Sequence, residues 1–264
     1  MAEKIDPWEE TIYYDTIKQD LKFEKVTTNG QEINKPPANG KYLKAVLLSD
    51  THDQMQNAKI PDGDILIHAG DFTNAGEESM LKVFDEFLGT LSHKHKLVVA
   101  GNHELGFDDS ENQANREPMW AGQGTKKGYE LLKNGTWLQD KPVEIEGLTF
   151  YGASWHPLQG YPFSLVRGPA MEEAWDRMPK KVDVLITHSP PLGYLDTFNA
   201  ERWGCRHLLK KVKELKPMLH VFGHVHECYG VATDGNTTFV NAALCDKKNQ
   251  LKNEPFVFYI PIPQ

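Results

Sequence analysis

The sequence has few cysteines, no long apolar run and no excess of positive charge. Its 264 residues include 3 Cys, which is too few for a disulfide framework and indicates a reducing compartment. Residues 1–6 lack the charged-then-apolar pattern of a secretory signal. We therefore expect a cytoplasmic protein. No apolar run approaches the ~18 residues that a membrane span needs, so we expect no membrane partner.

The charge balance is acidic, with 29 Lys and Arg against 37 Asp and Glu and a net charge of −8. A protein that binds nucleic acid in bulk needs a basic surface for the phosphates, so this class of partner is not expected. Apolar residues make up 39% of the chain and the mean hydropathy is −0.54. These values are typical of a globular protein with a buried core.

The chain changes character near residue 40. Residues 1–40 are polar and contain the pair Pro36-Pro37, and we predict an N-terminal extension or connector there. Within it, residues 5–23 carry scattered aromatics and are expected to form a short helix or lid. Residues 41–264 are predicted to form a single domain, since α/β domains of this length are common.

After residue 40, short runs rich in Val, Ile and Leu alternate with stretches of helical spacing. The runs cover residues 42–48, 64–69, 96–100, 182–186 and 218–222, and the helical stretches cover 77–91, 171–178 and 205–215. This alternation predicts buried strands in a largely parallel sheet. An Asp234-Gly235 turn within 229–240 predicts a hairpin. Further strands at 143–154 and 256–260 indicate a second, partly antiparallel set.

Each of the five runs ends in a polar tip. The tips carry Asp50, His52, Asp71, Asn102, His103, His188, His224 and His226. Ligands of open α/β sheets bind at the carboxyl ends of the strands, so we expect these side chains to converge. The mixture of carboxylate, amide and imidazole suits manganese, iron or zinc.

The local spacing also favours a shared site. Asp50 and His52 are two residues apart, as are His224 and His226, and in an extended segment such pairs point the same way. Gly70, Gly101 and Gly223 directly precede tip residues, and a residue without a Cβ lets the backbone come close to a site.

The motifs D-x-H, G-D, G-N-H-E, a lone H and G-H-x-H follow one another over residues 46–226. In this order they resemble the calcineurin-like metallophosphoesterases. The strings GDFTNAG and FGHVHECYG look like its small metallophosphoesterase-domain-containing subfamily. The resemblance implies a four-layer α/β/β/α sandwich with two mixed β-sheets and a centre of two divalent transition-metal ions, manganese, iron or zinc.

The resemblance also implies a role for each tip residue. The first metal ion would be held by Asp50, His52 and His226, and the second by Asn102, His188 and His224. Asp71 would bridge both ions. His103 would stand beside the centre without binding metal and would act in catalysis.

The implied reaction is hydrolysis of a phosphoester. A metal-bridging hydroxide would attack phosphorus in line, and His103 would protonate or stabilise the leaving oxygen. Two divalent ions, Asp50, Asp71 and one hydroxide leave the centre with about +1 charge, which favours an anionic ester.

Two departures from relatives bear on the substrate. Many relatives carry a second Asp where this sequence has Asn74, which puts the orientation of the catalytic histidine in doubt; Glu104 is a candidate to compensate. The protein phosphatases of the superfamily carry arginines that grip a monoester dianion, and these are absent here. We therefore favour a phosphodiesterase of small substrates, with cyclic nucleotides among them.

Several alternatives stay open. The same centre could serve a phosphomonoesterase, or a nucleotide-binding scaffold with weak or no turnover. The loops 105–127, 154–167 and 191–206 should rim the site, where aromatics beside arginines either contact a nucleotide or only pin the loops. His68 and His220 are expected to be hydrogen-bonded core residues. The sequence identifies no protein partner.

Overall fold

The structure is a computed structural model, and it describes residues 7–263. The predicted N-terminal helix therefore begins, at residues 5 and 6, outside the described part of the chain, and the predicted domain ends outside it at Gln264. The helices are α1 (Pro7–Ile17), α2 (Glu78–Thr90), α3 (Pro169–Asp176) and α4 (Arg206–Leu215). No helix among residues 7–263 is long and apolar enough to cross a membrane.

Within residues 7–263, fourteen strands accompany these helices. They are β1 (Glu24–Lys25), β2 (Tyr42–Leu48), β3 (Ile65–His68), β4 (His95–Val98), β5 (Thr136–Trp137), β6 (Lys141–Ile145), β7 (Leu148–Ala153), β8 (Val184–Thr187), β9 (Thr197–Phe198), β10 (Glu201–Arg202), β11 (Leu219–Phe222), β12 (Gly230–Thr233), β13 (Thr238–Asn241) and β14 (Phe256–Pro261).

A five-stranded sheet has the order β14-β2-β3-β4-β5. Strands β2 to β5 are parallel, and β14 runs antiparallel at the edge beside β2. The four residues of β3 are all buried, as expected for an apolar run covered on both faces. The carboxyl ends of β2, β3 and β4 therefore meet at one edge.

A seven-stranded sheet has the order β1-β12-β13-β11-β8-β7-β6. Its central strands β13, β11, β8 and β7 are parallel, and its outer pairs are antiparallel. The predicted hairpin is present as β12 and β13, joined through Asp234-Gly235. Strands β9 and β10 form a separate two-stranded hairpin.

The two large sheets enclose one apolar layer, and helices cover their outer faces. Leu47 and Ile67 of the first sheet pack in the same cluster as Phe150 and Ile186 of the second. The intervening residues of β2, Val46 and Leu48, pack with Leu81, Phe84 and Leu88 of α2. This alternation follows from the two-residue period of a strand. The predicted mixed α/β fold with two mixed sheets is confirmed.

Two local differences from the sequence prediction have simple causes. Residues 143–154, predicted as strand, divide into β6 and β7 because Glu146 and Gly147 adopt positive φ values of 51° and 77° and turn the chain into a hairpin. The N-terminal segment forms more than a connector, because α1 packs on β10 and β1 pairs with β12.

Candidate metal centre

The polar tips of both large sheets meet at one place. Three groups of side chains have potential ligand atoms within 4.8 Å of one another: Asp50 with His52 and His226, Asp71 with His188 and His224, and His52 with Asp71 and His103. The first sheet supplies the carboxylates and the second supplies His188, His224 and His226. The predicted convergence of these tips is present in the fold.

The first group centres on Asp50, which is fully buried. His226 Nε2 lies 3.1 Å from Asp50 Oδ1 and 3.3 Å from His52 Nε2. Burial would raise the pKa of Asp50, but the hydrogen bond and charge of His226 lower it to about 2. The carboxylate is therefore held in its charged form.

The second group centres on Asp71, which also faces the first. His188 Nε2 lies 3.2 Å from Asp71 Oδ2 and 3.0 Å from Asn102 Oδ1, while His52 Nε2 lies 4.0 Å from the same Asp71 oxygen. Burial opposes charge here too, but His188 and His103 hold the pKa of Asp71 well below its usual range. Asp71 thus lies between the two histidine clusters.

Two imidazoles are oriented by backbone carbonyls. The Nδ1 atom of His188 donates to the oxygen of Ala69 at 2.9 Å, and that of His226 donates to the oxygen of Asp246 at 2.8 Å. Each bond turns Nε2 toward the carboxylates. Histidines that bind metal ions use their second nitrogen in the same way.

Close backbone approach is built in by glycine. A Cβ at Gly223 would overlap the Asp50 carboxylate, and one at Gly101 would overlap that of Asp71. The amide of His224, next to Gly223, donates to both oxygens of Asp50 at 3.1 Å. These glycines are therefore required by space, as their positions before the tips predicted.

The tip backbones are not extended. Asp50, His52, Asp71 and His224 have φ values of 51°, 41°, 53° and 67°, in the left-handed region that non-glycine residues seldom adopt. The expectation that the paired residues converge because they lie on extended backbone is wrong. They converge through tight, strained turns, which are found preferentially at functional sites.

Glu104 stabilises these turns rather than touching His103. Its fully buried carboxylate accepts hydrogen bonds from the amides of Gly101, Asp71 and Thr73 and from the Thr73 hydroxyl at 2.6–3.0 Å. Burial and the nearby Asp71 charge raise the pKa of Glu104 to about 7. The proposed compensation for the missing Asp does not come from this residue.

The backbone carbonyl of Asn74, rather than Glu104, orients His103. His103 Nδ1 donates to the Asn74 carbonyl oxygen at 2.6 Å, and the Asn74 side chain donates to the Asp53 carboxylate. Asn74 therefore turns its carbonyl, not its side chain, toward His103. The Asp53 carboxylate thus holds Asn74.

A cavity of about 280 Å³ opens over the cluster. His52, Asp71, Asn102, His103, His224 and His226 form its floor, and its walls comprise Leu158, Tyr161, Phe198, Trp203, Val225, Glu227, Lys247 and Asn249. Trp203 lies 5.8 Å from the His224 ring, and Trp120 packs edge-on against His103 at 5.4 Å. The cavity therefore offers a polar floor for an anion and aromatic walls for a flat apolar group.

Comparison with known proteins decides the family. A family model described as calcineurin-like phosphoesterase matches residues 43–228, which contain every tip residue. This chain belongs to the calcineurin-like phosphoesterase family. The resemblance stated from the sequence motifs is confirmed.

Relatives of this phosphoesterase extend over nearly the whole chain. A UPF0046 protein of Caenorhabditis elegans is 54% identical over 98% of this chain and 90% of its own length. The human metallophosphoesterase domain-containing protein 1 is 44% identical over 87% of this chain and 74% of its own. The protein TT1561 of Thermus thermophilus shares the fold, with a TM-score of 0.51, 10% identity, and coverage of 84% of this chain and all of that one.

Family membership supports a metal-dependent phosphoester hydrolase. The residues of this phosphoesterase fit that activity, because carboxylate, amide and imidazole atoms converge and the glycine cradles leave room around both carboxylates. Such a donor set binds divalent transition metals.

The arginines of the rim follow the second of the two alternatives left open by the sequence, that of holding the loops. Each loop arginine is paired within the protein: Arg116 with Glu111, Arg202 with Asp196, and Arg167 with Glu10. None of these arginines lines the cavity. The aromatics Tyr161, Phe198 and Trp203 do line it, but without the arginines expected beside them.

Other histidines and a cysteine near the centre support the fold. His68 and His220 are buried and hydrogen-bond to Thr51 and Thr187, the neighbours of tip residues, as predicted. His156 stacks on the His224 ring at 6.3 Å and uses both its nitrogens on its own loop. Cys228 donates to the Thr197 carbonyl.

Sequence reasoning missed one wall of the cavity. Lys247 and Asn249 lie in the segment after β13, beyond the last recognised motif, and Glu227 directly follows His226. The Asp246-Lys247-Lys248 string is a turn signal, but nothing in it predicts that the turn would fold back over the centre. The His226 bond to Asp246 is what brings it there.

Proposed function

We propose that this phosphoesterase hydrolyses small phosphodiesters at a centre of two divalent transition-metal ions, with manganese and cyclic nucleotides as the first ion and substrates to test. The observation that carries the proposal is the composition of the cavity. Its floor consists of one carboxylate, one amide and imidazoles, and its described walls contain one cationic side chain, Lys247, and no arginine.

The distances support a division of the ligands between two ions. Asp50, His52 and His226 form one group, and Asp71, His188 and His224 form another, with Asn102 beside His188. Asp71 is within 4.0 Å of histidines of both groups, which is why we assign it to both ions. Two bound ions would supply electrophilic polarisation of the phosphoryl oxygens and lower the pKa of water.

The charge of the ligand cluster, with two ions bound, favours an anion. Asp50 and Asp71 bring −2 against the +4 of two divalent ions, while the imidazoles that bind metal are neutral. A surplus of positive charge inside a cleft attracts phosphate esters.

We assign His103 the action on the leaving group. Its Nδ1 atom donates a hydrogen bond to the Asn74 carbonyl oxygen. The ring forms part of the cavity floor, beside Asp71 and His52. With Nδ1 fixed in this way, Nε2 is the atom that can deliver a proton to a departing oxygen. The carbonyl fixes the ring without adding the negative charge that a carboxylate would bring.

The cation content of the walls supports a diester over a monoester. A monoester dianion is usually gripped by bidentate arginines, and the arginines of the rim are paired with carboxylates instead. A diester carries a single negative charge and needs fewer cationic side chains to bind it. The aromatic walls formed by Tyr161, Phe198 and Trp203 offer surfaces on which a base can stack.

The test compares ester classes on one preparation. With manganese added, we expect bis-p-nitrophenyl phosphate to be cleaved with a higher kcat/KM than p-nitrophenyl phosphate, and at least one 2′,3′- or 3′,5′-cyclic nucleotide to be hydrolysed. A dominant monoester rate would reverse the assignment to a phosphomonoesterase. Tight AMP binding without hydrolysis of any ester would establish a nucleotide-binding scaffold.

A further inference from the structure

Helix α1 lies outside the region that the family model matches, which begins at residue 43, yet it packs on the wall of the cavity. Its contact is β10, which pairs with the Phe198-bearing strand β9 and directly precedes Trp203. The amide of Arg202 donates to Thr11 Oγ1 at 2.9 Å. The Arg202 guanidinium stacks over the Tyr14 ring at 3.8 Å.

A buried carboxylate fastens the helix. Glu10 is fully buried and accepts hydrogen bonds from Arg167 Nε at 2.8 Å and Arg206 Nε at 3.0 Å. The two arginines come from separate segments, before α3 and at the start of α4. Removing one partner of such a buried set leaves the others uncompensated, so Glu10 ties α1 to the domain.

The same network continues to the cavity wall. Arg202 Nη1 donates to Asp196 at 2.6 Å, and the buried Asp196 carboxylate also accepts from the amide of Gly204. The amide of Trp203 donates to the Asp196 carbonyl at 2.9 Å. The segment that holds Trp203 is thus fixed from one side by Asp196 and from the other by α1.

We infer that α1 is a positioning element for the substrate, with Glu10 and Thr11 as its positioning residues. Thr11 holds Arg202, and Glu10 fastens the helix through Arg167 and Arg206. Together they set Trp203, which lines the cavity, packs against Phe198 at 5.0 Å and lies 5.8 Å from His224. The group that this wall receives is the flat, apolar part of the ester. The inference rests on the proposed function for the identity of the ligand, but not for the contact itself.

The experiment changes one atom of the contact. Thr11→Val removes the acceptor of the Arg202 amide, and Thr11→Ser keeps it. In the Thr11→Val variant with manganese, we expect KM for bis-p-nitrophenyl phosphate and the dissociation constant for AMP to rise about fivefold, the size expected for losing one neutral hydrogen bond. We expect kcat to stay within about twofold, because no floor residue is touched. Thr11→Ser should restore the wild-type values.

Glu10→Gln provides a second, independent variant. It removes the charge that joins Arg167 to Arg206 and should raise KM in the same direction. Asp15→Asn is its matched control, since Asp15 lies on the same helix, is exposed and pairs with Lys18. Hydrogen–deuterium exchange of the peptide 196–206, measured on all four variants, should be faster in Thr11→Val and Glu10→Gln only.

Unchanged exchange and unchanged AMP affinity in both Thr11→Val and Glu10→Gln would overturn the inference. A kcat loss equal to the KM rise would also overturn it, because the helix would then support the fold as a whole. Failure of the proposed function gives a different result: the wild type would cleave no ester, while the exchange and AMP measurements would still decide the role of α1.

Discussion

The floor and the rim of the cavity are built differently. In the cluster at the floor, Asp50 and His188 are fully buried and held by backbone donors and acceptors, and Asp50 stands at a strained turn. On the rim, Tyr161, Phe198 and Trp203 are only partly buried and belong to loops and a two-stranded hairpin. The floor holds charged groups close together and needs many fixed contacts, whereas the rim presents loop side chains that would contact the variable part of an ester.

The largest expected effect comes from substituting Asp71, the floor residue that we assign to both ions. Asp71→Asn keeps the size of the side chain and removes the charge that faces both histidine clusters. We expect kcat/KM for a diester to fall by about three orders of magnitude or more, with loss of bound metal, since such ions supply most of the catalysis. Diester kinetics and elemental analysis check this. Asp62→Asn, an exposed carboxylate in the loop before β3, should change neither.

The next effect separates chemistry from metal binding. His103→Gln should lower kcat by about two orders of magnitude, the usual contribution of a general acid, and leave KM and metal content near the wild-type values. His103 has ligand atoms close to His52 and Asp71, so metal content is the decisive reading. Loss of an ion in this variant would make His103 a ligand rather than the proton donor.

A smaller effect concerns the support below the floor. Each Glu104 oxygen accepts two hydrogen bonds. In Glu104→Gln an amide NH2 group replaces one of these oxygens and cannot accept a hydrogen bond, so two donors lose their acceptor. We expect a loss of about 1–3 kcal/mol in the free energy of unfolding, the cost of leaving buried polar groups unpaired. Thermal unfolding after chelation measures it. Glu86→Gln, exposed on α2, is the control; equal stability of the two variants would contradict the assigned role of Glu104.

The smallest effect belongs to the rim. Trp203→Leu keeps an apolar side chain and removes the flat surface beside His224. We expect KM to rise by about threefold to tenfold for an aromatic or nucleotide diester, in line with the value of one stacking contact. Dimethyl phosphate, which has no ring to stack, should bind equally well to both proteins. An equal loss for the two esters would show that Trp203 supports the floor instead.

The same contrast explains how much the sequence could reveal. Ligand types such as Asp50, Asp71 and His188 follow buried strands, and the carboxyl ends of parallel strands meet at one edge, so their convergence could be predicted. The turns at these residues could not, because a left-handed φ at an aspartate or histidine depends on tertiary contacts such as the His224 amide on Asp50.

The sequence predicted which loops form the rim, but not which of their side chains face the cavity. Arginines and aromatics in loops look alike whether they face a ligand or a carboxylate of the protein. Arg116 and Arg202 found partners in Glu111 and Asp196, and Lys247 reached the cavity through a turn held by His226. Such long-range pairings leave no periodic signal. The packing of α1 on the domain could not be predicted either, because the sequence around Glu10 is typical of an exposed acidic residue on a helix.

The central claim is that both sheets together form one centre for two ions around Asp71. Its most direct test is a titration of metal-free wild-type protein with Mn²⁺, followed by native mass spectrometry. The account predicts two ions per chain at saturation, as in two-metal phosphoesterase sites, and fewer than two in Asp71→Asn. A wild type that saturates with one ion, or an Asp71→Asn variant that still takes two, would contradict it.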